Sequence, residues 1–150
     1  MQIMRTTITI LLLVFSTALF AQKNYYTKKG AVAKGYDVVA YFDNQAKEGK
    51  KEISTEYDGV KFYFSSEKNL KTFQENPTKY IPQYGGFCAY AMGAKGKKVS
   101  IDPETFEIRD GKLYLFYNRG FTNTLKLWTE EGAEQLKAKA DENWKKITNK

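Results

Sequence analysis

Two Asp-Gly pairs constrain this chain more than any other feature. Asp58-Gly59 separates residues 53–57 from 60–64, and Asp110-Gly111 separates 106–108 from 112–117, all short runs rich in β-branched and aromatic residues. Both members of such a pair tolerate the positive φ that the tight turn of a right-twisted hairpin demands. Each pair therefore predicts an antiparallel hairpin. In the first, Val60, Phe62 and Phe64 alternate with Lys61 and Tyr63, which leaves one face apolar.

Between the hairpins, Ser65 or Ser66 can cap a helix running to about Glu75. Leu70 and Phe73 share one face of it, and Asn76-Pro77 ends it. Pro77 can open a further short turn carrying Tyr80 and Ile81. Residues 36–42 are apolar and aromatic and fit either a buried strand or a short turn structure, residues 44–51 read as a charged loop, and 97–101 as a short strand. Near the end, residues 121–128 predict one helix. Thr129 is expected to cap another, in which Ala133, Leu136, Ala140, Trp144 and Ile147 recur at helical spacing with Glu130 and Glu131 in the first turn. No internal repeat stands out. The expectation is an α+β domain, a small antiparallel sheet of two hairpins with helices packed on one side.

Residues 1–21 read as an export signal rather than as part of the fold. Arg5 precedes an apolar run over 8–20, and small Ala21 precedes polar Gln22-Lys23-Asn24. A spanning helix needs about 20 apolar residues, more than this run provides. Cleavage near Ala21 would release residues 22–150 to the periplasm or beyond, with no membrane contact afterwards. Residues 22–35 then form a polar lead-in and 36–150 a single domain, long enough to bury roughly two thirds of its unfolded surface without staples.

The chain contains no His and one Cys. That excludes Ser-His-Asp and Cys-His catalytic pairs, His-ligated metals and any intrachain Cys₂ or Cys₄ site. Its 24 Lys and Arg against 17 Asp and Glu are mostly interleaved, as on a solvated surface, and export argues against a nucleic-acid partner. The acids Asp37, Asp43, Asp58, Glu67 and Asp102 are scattered, and acid–base work would need two placed carboxylates. The reading is a protein that is not an enzyme.

The order Tyr36-Asp37, then residues 57–67 (Tyr-Asp-Gly-Val-Lys-Phe-Tyr-Phe-Ser-Ser-Glu), then Leu70, Phe73, Asn76-Pro77 and Lys79-Tyr80 resembles the YHS domain family over residues 36–81. Residues 83–90 (Gln-Tyr-Gly-Gly-Phe-Cys-Ala-Tyr) and 110–115 look like the exported, stand-alone branch of that family, an extension over 82–150. The family is similar to small heavy-metal-binding modules of metal-transport ATPases and mercury-resistance proteins, which implies a metal-related role. In the metal-associated members one thiolate follows the Asp that Asp37 matches, and two more lie at the hairpin-to-helix junction. The corresponding positions here are Ala40, Ser65 and Asn69, and the His of the family's name is Phe64. The resemblance thus implies the fold, and it implies metal handling without the family's own ligands.

Cys88 is the remaining candidate for chemistry. It packs as a small hydrophobe if buried among Phe87, Ala89 and Ala91. If residues 88–92 are helical, Cys88 and Met92 share a face and offer two soft sulfurs to Cu(I) or another soft metal. A third reading is a redox thiol beside Gly85 and Gly86. Tyr36, Tyr41, Tyr63, Tyr84, Phe87 and Tyr90 either belong to the core or line a pocket for a small apolar molecule. The expected function is an exported binding protein linked to metal handling. The alternatives are a small-molecule or thiol-redox protein using Cys88, or an accessory subunit of another exported protein.

Overall fold

The computed structural model describes residues 24–149, and the expected export signal lies outside them. Short ladders lead in: β1 (Thr27–Lys28) pairs antiparallel with β2 (Ala31–Val32). Residues 22–35, read as a polar lead-in, reach the core here, because Ala31, Val32 and Ala33 are fully buried. The stretch 36–42 takes the turn alternative, ending in a 3₁₀ turn at Ala40–Asp43.

Both Asp-Gly hairpins form. β3 (Lys50–Tyr57) pairs with β4 (Val60–Phe64) around Asp58 and Gly59, at φ 52° and 77°. Ser66 then caps α1 (Glu67–Glu75), its hydroxyl accepting from the Asn69 amide at 3.1 Å, and Pro77 opens the one-turn α2 (Pro77–Tyr80). A turn at Gln83–Gly86 leads to α3 (Ala89–Lys95). β5 (Asp102–Arg109) pairs with β6 (Lys112–Phe116) around Asp110 and Gly111, at φ 51° and 73°. β7 (Asn118–Arg119) and β8 (Thr122–Asn123) make a short ladder that feeds α4 (Thr124–Glu131) and then α5 (Ala133–Thr148). The class is α+β with antiparallel hairpins and helices. Among the described residues the two main hairpins are separate two-stranded ladders, joined by side chains and not by backbone hydrogen bonds.

Three local expectations change. Residues 97–101 form no strand, and Val99 gives its carbonyl to the Cys88 amide instead. The first terminal helix begins at Thr124, capped by Asn123, and leaves Phe121 fully exposed at a hairpin tip. Thr129 lies inside α4 and returns its hydroxyl to the Leu125 carbonyl, so the break falls at Gly132 with φ 105°.

Two apolar clusters fill the interior. Val60, Phe62, Phe64 and Phe73 head the first, and Trp128, Met92, Leu136 and Ala140 belong to the second. β6 is the wall between them, with Leu113 and Leu115 in the first cluster and Tyr114 and Phe116 in the second. Burying each such side chain contributes about 1.5–3 kcal/mol before entropy is counted.

Candidate functional site: the Asp37 centre and the Cys88 cavity

Asp37 is fully buried, and its carboxylate is saturated with donors. Oδ1 accepts from the amides of Val39 and Ala40 at 2.9 and 3.2 Å. Oδ2 accepts from the Ser65 amide and hydroxyl at 2.9 and 2.7 Å and from Asn69 Nδ2 at 2.8 Å. Donors to both oxygens are what allow an anion to sit in an apolar core. Ala40, Ser65 and Asn69, which the resemblance sets in the place of thiolates, therefore do converge on one point, and a hydrogen-bonded carboxylate fills it. The sequence contained a usable sign of this knot: an Asp whose oxygen can cap the amides two and three residues on.

Cys88 is fully buried at the start of α3. Thr124 Oγ1 donates to the Tyr117 carbonyl at 2.6 Å, so its oxygen is left to accept the thiol hydrogen across 3.4 Å. The sulfur in turn accepts from the Tyr117 amide at 3.4 Å. One side of this group opens on a cavity of about 290 Å³ walled by Tyr90, Ala91, Val99, Thr124 and Leu127 among others. Its lining is mainly apolar, with Cys88, Thr122, Thr124, Tyr90, Tyr117 and the cationic Lys95 as its polar members.

The two centres occupy equivalent places in two halves built on one pattern. Ala33, Lys34 and Gly35 are three successive left-handed residues (φ 55°, 54° and 81°), and so are Tyr84, Gly85 and Gly86 (57°, 61° and 87°). Each run is followed by an aromatic residue and then by the hub, Tyr36-Asp37 in one half and Phe87-Cys88 in the other. Each half continues to an eight-residue strand, an Asp-Gly turn and a five-residue strand, with the same irregularity four residues into the first strand. A side-chain-capped helix closes each half and buries a large ring, Phe73 or Trp128. The residue after the hairpin, Ser65 or Tyr117, donates its amide to the hub, and a residue of the following helix, Asn69 or Thr124, completes the contact. The repeat is geometric with few shared identities, which is why it does not stand out in the sequence.

Residues 39–84 match the family model of the YHS domain. This stretch is similar to the YHS domain. The match begins two residues after Asp37 and stops at Tyr84, where the second left-handed run begins, so it takes in Ala40, Ser65 and Asn69 but not Asp37 itself. No curated protein and no solved structure matches the chain.

Around the YHS-like stretch, the other candidate residues disperse. Met92 lies in the second core cluster against Trp128, whereas Cys88 lies in the first. Among the described residues no group of three or more His, Cys, Asp or Glu is placed to hold a metal. The six candidate rings do not share one pocket. Tyr90 borders the Cys88 cavity and donates to Glu131 at 3.0 Å, burial and that carboxylate raising its pKa. Tyr84 walls a separate open groove and donates to Asp141 at 2.8 Å, and burial followed by this bond pushes its phenol far up. Tyr63 borders a third cleft with Lys29 and Lys51, and Tyr36 is half-buried beside its bridge to Glu48. Tyr41 is core, donating to the Pro103 carbonyl at 2.6 Å, and Phe87 packs between Tyr26 and Trp144.

Proposed function

We propose that the protein is an exported, non-enzymatic binding protein whose ligand is a small, largely apolar molecule held in the cavity beside Cys88. The observation that carries this reading is the contrast between the two equivalent centres. In the first half the hub is closed by a carboxylate with its donors, whereas in the second half a shorter thiol meets the hydroxyl of Thr124, beside about 290 Å³ of open space. That volume is at the small end for ligand pockets, and an apolar wall with a few polar points is the usual lining of one. The absence of His from the sequence supports a role without acid–base catalysis.

The test uses the neutral fluorophore N-phenyl-1-naphthylamine. Saturable, blue-shifted emission is expected with the parent protein, lost in Leu127→Trp, which fills the cavity, and kept in Tyr84→Phe, which alters the other groove. Emission that does not saturate, or that survives Leu127→Trp unchanged, would sink the reading.

A second reading, a soft metal bound at Cys88, is favoured by the thiol's place in the cavity wall. Native mass spectrometry of untagged protein from the exported fraction of its own cell separates the two. An organic adduct supports the first, and a copper-sized shift abolished by Cys88→Ser supports the second.

A further inference from the structure

A cluster of cations lies apart from the Cys88 cavity. Lys34 and Arg119 both line a cleft of about 170 Å³ whose wall also includes Ser100, Asp102 and Asn118. At about 30 Å³ per water, that is room for roughly six waters, enough for a tetrahedral oxyanion with part of its hydration. Lys28 and Lys29 lie within electrostatic reach of Lys34, and the pKa of Lys34 is lowered by burial first and then by repulsion from Lys28 and Arg119. The one acid in the cleft is already engaged, since Asp102 accepts from the Glu104 amide and the Thr105 hydroxyl at 3.1 and 2.9 Å. Among the described residues neither Lys34 nor Arg119 forms an ion pair. Asp102 partly offsets these charges and acts to raise the Lys34 pKa, but one carboxylate against Lys28, Lys29, Lys34 and Arg119 leaves a net positive potential focused on the cleft.

The backbone at Lys34 belongs to the left-handed run that recurs at Tyr84, Gly85 and Gly86. Lys34 has φ 54°, a left-handed conformation that Gly or Asn would hold with less strain. Such strain persists where the surrounding structure over-determines it, and here it holds Lys34 in the cleft wall. Arg119 is fixed from the other side by the β7–β8 ladder, opposite Thr122.

We propose that the cleft between Lys34 and Arg119 is a binding site for a phosphate-type oxyanion. Arg119 offers the paired N–H donors that suit such a group, Lys34 a point charge, and the Ser100 hydroxyl a further donor. The anion is either free or the headgroup of an anionic lipid. Phe121, wholly exposed two residues from Arg119 at the same hairpin tip, is placed to enter a bilayer in the second case.

The test is calorimetric titration of the full chain with inorganic phosphate, beside co-sedimentation with phosphatidylglycerol and phosphatidylcholine vesicles. One-to-one phosphate binding is expected, weakened at least about tenfold by Arg119→Gln and by Lys34→Gly and unchanged by Lys145→Gln. Lys34→Gly should at the same time melt at an equal or higher temperature, because it relieves the left-handed strain, which separates loss of the site from loss of the fold. Capture by phosphatidylglycerol vesicles alone, abolished by Arg119→Gln and weakened by Phe121→Ser, assigns the same site to a lipid headgroup. Binding of neither probe, or equal weakening by Lys145→Gln, overturns the proposal.

Discussion

Asp37 shows how one buried side chain can decide what a site is able to hold. Its carboxylate gathers three backbone amides, a hydroxyl and a side-chain amide from three separate segments. Asp37→Ala leaves all of these donors unpaired in the core and is expected to cost about 3–5 kcal/mol, read as a fall in the urea midpoint. The same convergence makes a constructive prediction. The triple variant Ala40→Cys/Ser65→Cys/Asn69→Cys should acquire a thiolate-to-cadmium charge-transfer band that the parent lacks, and no band would show that the three positions do not share one coordination sphere. Of this centre, the resemblance named the three replaced positions. Their common partner was not legible, because the contact spans 28 to 32 residues and the scattered carboxylates of the sequence carry no mark of which one is buried.

At the scale of elements, what the residues foretell best is what depends on near neighbours. Both Asp-Gly turns, the Ser66 cap and the Pro77 restart rest on contacts within four residues and stand as read. The start of α4 does not, since it falls at Thr124 behind the Asn123 cap, and not at Phe121, only once the β7–β8 ladder has set the chain direction. Long-range packing sets the second kind of limit. Gly93 in α3 lies so close to α5 that a Cβ there would stand 2.5 Å from the Leu136 carbonyl oxygen. Gly93→Ala is expected to destabilise by at least about 2 kcal/mol despite its better helix propensity, because the obstacle is backbone. An unchanged melting temperature would mean that the two helices can part at little cost. Nothing in the sequence distinguishes this glycine from the solvent-facing Gly111 or Gly120.

For the whole molecule, the titratable groups that matter are phenols. Burial pushes the pKa values of Tyr25, Tyr41 and Tyr84 well above the ordinary value near 10, with Asp58 adding to the shift at Tyr25 and Asp141 at Tyr84. A folded-state pKa above the unfolded one means that the native state keeps its protons when the unfolded chain has lost them. Stability from these groups is therefore fully present below pH of about 10 and declines as the pH rises past it. With no imidazole in the chain, no histidine titration intrudes around neutrality. Absorbance titration should show the buried phenols ionising together with loss of tertiary signal, and smooth ionisation near pH 10 in a still-folded protein would refute the assignment.

The strand between the two apolar clusters has a further consequence. Because Leu113 and Leu115 face one core while Tyr114 and Phe116 face the other, neither half can loosen without exposing a side of the same five-residue segment. Two hairpins that share no backbone ladder are thus bound to a common fate. Deuterium should reach the amides of that segment last, by way of the fully unfolded chain, and the protein should melt as one unit even though its hydrogen-bonded sheets are separate.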